Sequence, residues 1–255
     1  MTRLLAIGAA AALATGAGTA LADNHEQHGP TVRPVEIYTC NYNDGRDRED
    51  LDRVVERWNR YMDENDDTGY VAFALTPNFV SAFDFDIGWM GFAPDTKAFG
   101  QSLQNWRASG GELAQAFAEV LTCGAHANFA SMNIIEPPEE VPEQPVITFT
   151  DCTVNDDSSF EAAMEGVHAW AEFVQSAGVG APFWLWFPAY GEASDATYHF
   201  KWVTAFSDYN QWADDWELYG NGSGWQKAEE LFDGVMHCDS GRVYNLELLR
   251  RPAGG

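Results

Sequence analysis

The segment CNYNDGRDREDLDRVVERWNRYM, which begins at Cys40, is written a second time as CTVNDDSSFEAAMEGVHAWAEFV from Cys152. Identical residues recur in register at Cys40/Cys152, Asn43/Asn155, Asp44/Asp156, Glu49/Glu161, Val55/Val167 and Trp58/Trp170. With short gaps the correspondence continues through TPNF at 76–79 against FPAY at 187–190, then Trp89/Trp202, Asp95/Asp208, Phe117/Phe232 and Cys123/Cys238. An internal repeat fixes the folding unit before any motif is considered. The chain is therefore expected to be a tandem duplication, with one unit at 33–135 and another at 146–251. Between them EPPEEVPEQP, residues 136–145, is too proline-rich and charged to pack, and reads as an extended linker.

Within each unit the periodicities alternate between strand and helix. VEIYTC and VITFTDC are β-rich. A helix should follow Asp47, with Leu51, Val55, Trp58 and Met62 on one face; Ser158 and Glu161 form a possible capping box for its counterpart, whose stripe is Ala163, Val167, Trp170 and Val174. That stripe makes Trp58 and Trp170 core residues. YVAFALTP and PFWLWFP are apolar on both faces, as strands buried on two sides are. The third strands alternate: Phe85, Ile87 and Trp89 match Tyr198, Phe200 and Trp202 on one face, and Asp86, Gly88 and Met90 match His199, Lys201 and Val203 on the other. A helix interrupted at ASGG or GNGSG and a closing strand complete each unit, giving βαββαβ twice, a split ferredoxin-like pattern in tandem.

The amino terminus reads as a secretory signal peptide over 1–22: one arginine, a run of small and apolar residues, and Ala-Leu-Ala ending at Ala22. A polar tail at 23–32 should be disordered, and its His25 and His28 need no metal to explain them. An exported chain with four cysteines is expected to be disulfide-bonded. In each copy one cysteine ends the first strand-like run and the other ends the last helix-like run, so the symmetric pairing is Cys40 with Cys123 and Cys152 with Cys238. The formal charge of −25 repels nucleic acid and anionic lipid. The acids are scattered as on a solvated surface, and DENDDTG at 63–69 lacks the closing acid of a calcium loop, so no metal site is expected. No nucleic-acid partner and no membrane insertion after signal removal are expected either.

The element order, the unit size, the interrupted second helix and the duplication resemble the dimeric α+β barrel superfamily, which includes antibiotic-biosynthesis monooxygenase-like domains, muconolactone isomerases, haem-degrading monooxygenases and chlorite dismutases. The resemblance covers nearly all of 33–251 and includes no catalytic motif. It implies two sheets facing each other with helices outside and a ligand cavity between the sheets. Both halves would come from one chain, making two tandem ferredoxin-like repeats into an intramolecular barrel, a monomeric pseudo-dimer. One row of the third strands would then face inward. Because polar groups between sheets need a reason to be there, Asp86, His199 and Lys201 are the candidate ligand-binding residues. The signal peptide and the disulfides set this chain apart from members that act as cytoplasmic oxygenases.

No GxSxG, HExxH or phosphate loop is present. No histidine recurs in both copies; His168 and His199 stay open as haem ligands, but His168 aligns with Glu56 on the polar side of its helix. Three classes of function remain, and no cofactor is expected. The first is an exported protein that binds a small apolar or aromatic molecule, supported by 14% aromatic content and by Trp184, Trp186, Trp202, Trp212 and Trp216 in the second copy. The second is a cofactor-independent monooxygenase or isomerase with Asp86 or His199 as base. The third is a structural or interaction module whose interior is filled by side chains.

Overall fold

The computed structural model describes residues 31–251, apart from 66, 67, 83 and 194. The expected signal peptide at 1–22, nearly all of the tail at 23–32 and two acids of DENDDTG lie outside the described residues. The strands are β1 (Val32–Tyr42), β2 (Val71–Phe79), β3 (Ile87–Phe92), β4 (Leu121–Ile135), β5 (Val146–Val154), β6 (Phe183–Tyr190), β7 (Phe200–Phe206), β8 (Met236–Cys238) and β9 (Arg242–Arg250). The helices are α1 (Arg48–Asn65), α2 (Thr96–Ser109), α3 (Gly111–Val120), α4 (Phe160–Ser176), α5 (Tyr209–Gly220) and α6 (Gly224–Phe232). Residues 136–145 contain neither helix nor strand.

All pairings are antiparallel, and eight strands close into a barrel in the order β7-β6-β4-β1-β3-β2-β9-β5, with β5 returning to β7. The short β8 pairs with the far end of β5, on the edge that β9 also uses. Two tandem ferredoxin-like repeats are thus not what the chain forms: the described residues make one closed eight-stranded barrel with six helices outside it. The reason lies at the strand edges. A free-standing first unit would leave β2 and β4 with unpaired N–H and C=O groups, which an aqueous edge tolerates poorly. Here β2 pairs with β9 from Ala72/Arg250 to Phe79/Val243, and β4 pairs with β6 from Asn128/Tyr190 to Ile135/Phe183. The interruption expected in the second helix of each unit is present: α2 and α3 meet at Gly110, and residues 221–223 separate α5 from α6.

Strand alternation sorts the side chains into inner and outer sets. Val35, Phe73, Leu75, Met90, Phe129, Phe149, Trp186 and Val203 point into the barrel and fill it. The space where a ligand between facing sheets would sit is therefore occupied by side chains, and an opening of about 150 Å³ remains at one end. Outward residues form two further cores. One lies under α1 and α3 and contains Leu51, Val55, Trp58, Ala116 and Val120; the other lies under α4 and contains Val167, Ala171, Val174, Phe183 and Leu185. Four helices carry side-chain caps. Asp47, immediately before α1, accepts from the main-chain N–H of Asp50. Asp95 accepts from the N–H groups of Lys97 and Ala98, Asp208 from those of Asn210 and Gln211, and Ser159, one residue beyond the expected Ser158, from that of Ala162. Disulfides join Cys40 to Cys123 and Cys152 to Cys238, tying β1 to β4 and β5 to β8 at directly opposed positions.

Candidate functional site

A cavity of about 1070 Å³ lies between the outer face of β5–β7 and the helices α4, α5 and α6. Its existence follows from how α5 and α6 pack. α4 buries five residues, whereas α5 buries none and α6 only Gly224. The apolar positions of α5, Trp212, Trp216 and Tyr219, recur at three to four residues and face the cavity, yet Trp216 remains 67% exposed. A helix held over a sheet by large flat rings, without a close-packed seam, leaves room beneath it.

The opposite walls are aromatic as well. Trp202 of β7 stacks on Phe183 of β6 with ring centroids 4.7 Å apart and meets Phe232 edge-on at 5.9 Å. Trp170 of α4 meets Tyr219 edge-on at 6.3 Å, and Trp212 stacks on Phe79 of β2 at 5.9 Å. Both Trp58 and Trp170, read from sequence as core residues, are packed against the cores beneath α1 and α4; each also borders a cavity.

A single carboxylate sits among these rings on the inner face of α5. Asp215 lies one turn from Trp212 and next to Trp216; burial pushes its carboxyl up from 3.8 to about 6, and among the described residues no donor or cation offsets that burial. Glu229, Asp233 and Asp239 also border the cavity, Asp239 being held by Arg242 at 2.6 Å and by the main-chain N–H of Asp151 at 2.7 Å. No lysine or arginine is found among the described residues that line it. The imidazole of His237 lies at the exposed margin, 3.0 Å from the Asn155 side chain.

A smaller cavity of about 370 Å³ lies against the outer face of β1, β3 and β4 under α1–α3. Alternation in VEIY turns Glu36 outward with Tyr38, and the helices bury it. Its carboxylate accepts a 2.5 Å bond from the Tyr70 hydroxyl, which itself accepts from the Trp89 indole at 3.1 Å, and lies 2.7 Å from His126 Nε2. His126 in turn stacks on Tyr38 at 3.7 Å. Burial, reinforced by the Glu36 charge, pushes the hydroxyls of Tyr38 and Tyr70 far up, so both remain donors. Gly91 makes the approach possible: a Cβ there would lie 1.7 Å from the Tyr70 hydroxyl oxygen.

Of the residues expected to bind a ligand, Lys201 points into the end of the barrel. Its Nζ donates to Asp151 at 2.8 Å and lies 4.0 Å above the Tyr198 ring, with Arg242 3.2 Å from the same Asp151 oxygen. Asp86 is exposed and accepts the main-chain N–H of Tyr42 at 2.9 Å, and the exposed His199 accepts that of Val154 through Nδ1 at 3.0 Å. Each is thus bonded to the main chain at the end of a strand. His168 is exposed on α4. Sequence reading missed Asp215 and Glu36. The spacing Trp212, Asp215, Trp216, Tyr219 was available as a signal for the first, and the same-face set Glu36, Tyr38, Cys40 for the second.

Solved structures show the same architecture. A protein from Fusobacterium nucleatum described as a candidate monooxygenase superimposes with a TM-score of 0.56 at 9% identity, covering 88% of this chain and 96% of its own. A candidate monooxygenase from Lactobacillus acidophilus gives 0.53 at 12% identity, covering 88% and 98%. A haem-binding protein from Thermus thermophilus gives 0.50 at 11% identity, covering 86% and 95%. The fold is similar to that of chlorite dismutase-like α+β barrels. No family model matches the sequence, and no curated protein is similar to it in sequence.

Haem needs an axial donor and partners for its propionates. In the larger cavity the imidazole stands at the margin against Asn155 and the charged lining groups are carboxylates, so the residues present do not fit haem. Among the described residues, no cluster of three His, Cys, Asp or Glu side chains is arranged to hold a metal ion.

Proposed function

We propose that this chain is a binding protein for a small, largely aromatic or apolar molecule, held between β5–β7 and α4–α6. The observation that carries the reading is the cavity of about 1070 Å³ walled by stacked indole and phenyl rings beneath a helix with no buried residue. Ring faces bind flat apolar molecules with little loss of side-chain freedom, and a helix seated on exposed tryptophans can close over an occupant without breaking a packed core. We further propose that the chain works outside the cytoplasm; two disulfides and a charge of −25 suit an oxidising, extracytoplasmic setting. No helix among the described residues is long and apolar enough to cross a membrane.

Titration with the neutral fluorophore N-phenyl-1-naphthylamine tests the binding reading. Its emission should rise on saturable binding, and Trp212→Ala with Trp216→Ala should weaken binding at least about tenfold, since each ring-on-ring contact adds about 1 kcal/mol. Non-saturable emission, or affinity unchanged in the double variant, would remove the cavity as the site.

A second reading, a cofactor-independent oxygenase or isomerase, is favoured by the Glu36–His126 pair beside the smaller cavity. There a buried carboxylate is linked to solvent through an imidazole, an arrangement able to accept and release a proton. Turnover of an activated phenol or carbon acid that is lost in Glu36→Gln while N-phenyl-1-naphthylamine binding persists would select it.

A further inference from the structure

We infer that the molecule held in the larger cavity is an organic cation: a quaternary ammonium or protonated amine carried on an aromatic or aliphatic body. The inference rests on the reading of that cavity as a binding site and adds the charge of the ligand. Three observations meet in it. Asp215 is held among Trp212, Trp216 and Tyr219 with no hydrogen-bond donor or cation beside it among the described residues, so the fold leaves one negative charge without a partner in the space a ligand would enter. The surrounding wall is rich in π electrons, with Trp170, Trp202 and Trp212 among the lining residues, and an indole face open to the cavity attracts a cation and repels an anion. The other charged groups on the wall, Glu229, Asp233 and Asp239, have the same sign as Asp215, and the lining contributes no lysine or arginine among the described residues. A neutral aromatic molecule would satisfy the rings but desolvate Asp215 further, and a carboxylate or phosphate would be repelled by Asp215 and would find no lysine or arginine among the described lining residues. A cation with an apolar body satisfies both sets at once.

A matched pair of probes separates this from the parent reading. Phenyltrimethylammonium and tert-butylbenzene have the same shape and differ in charge, and benzoate supplies the anion. All three compete against N-phenyl-1-naphthylamine on the intact protein in 0.5 M salt, which screens attraction to the acidic surface. The cation should displace the fluorophore at least about tenfold more effectively than the neutral isostere, with no displacement by benzoate. Asp215→Asn should reduce that preference to about threefold or less, whereas Glu165→Gln, which removes one charge from the exposed face of α4, should leave it unchanged. If tert-butylbenzene competes as well as the cation, or the preference survives Asp215→Asn, the cation assignment falls while the binding site stands. If the fluorophore itself does not bind, both fall.

Discussion

Replacing Asp215 by asparagine should stabilise the protein at neutral pH and do nothing in acid. The unfolded side chain titrates at 3.8, and burial in the aromatic cavity lifts it to about 6. The folded state therefore holds that proton more tightly than the unfolded chain does. Its contribution to stability is fully present below pH 3.8 and is lost as pH rises through about 6. The interval between the two values, at about 1.4 kcal/mol per pH decade, corresponds to about 3 kcal/mol. The carboxylate keeps some contact with water, which reduces the expected gain to about 1–2 kcal/mol. Asparagine is neutral throughout and nearly the same size, so the variant should exceed the wild type by that amount at pH 8 and equal it at pH 3.5. Glu229, Asp233, Asp239, His237 and Tyr219 line the same cavity but are present in both proteins, so their effects largely cancel in the difference. Urea unfolding followed by tryptophan fluorescence, with the disulfides intact, measures it. A difference that is constant across pH 3.5 to 8, or a destabilised variant at pH 8, would refute the assignment of Asp215 as an uncompensated charge.

Further perturbations test the scaffold that shapes the two cavities. Cys40→Ala with Cys123→Ala opens a loop of sequence separation 83, which the chain-entropy model values at about 4.5 kcal/mol, so the urea midpoint should fall sharply. An unchanged midpoint would show that the closed barrel alone fixes β1 against β4. Glu36→Ala leaves the buried Tyr70 hydroxyl without its acceptor and should destabilise by about 2–4 kcal/mol, with little loss of N-phenyl-1-naphthylamine binding at the other cavity; a loss below about 0.5 kcal/mol would mean the network is slack. Residues 31–140 expressed alone bare the edges of β2 and β4 and should associate or aggregate in analytical ultracentrifugation, whereas a soluble, cooperatively folding monomer would show that barrel closure is not required.

The strands, the helices and their apolar faces were legible in the sequence because they depend on local periodicity. The stripe Leu51, Val55, Trp58, Met62 is buried as its spacing requires, and Met90 and Val203 alternate inward while Trp89 and Trp202 face the helices. Correspondence between the two segments singled out the cysteine pairing found in the structure. Closure was not legible, since whether β2 remains an edge or meets β9 depends on residues more than 160 positions away. The positions of the cavities were not legible for a related reason. Alternation distinguishes two faces of a strand but not which space is filled; Trp186 closes the barrel interior, while the loosely packed α5 leaves space outside its wall. Asp215 reads in sequence as one acid among 39, and its distinction, burial with no partner among the described residues, appears only once α5 is set against β7.

Native mass spectrometry of the protein isolated under non-denaturing conditions from its own organism tests the central assignment most directly. The protein should carry a retained small molecule, of net positive charge when released, and the Trp212→Ala, Trp216→Ala variant prepared in the same way should be bare. A wild-type protein that is bare, and that remains bare after incubation with N-phenyl-1-naphthylamine and with phenyltrimethylammonium, would contradict the binding function.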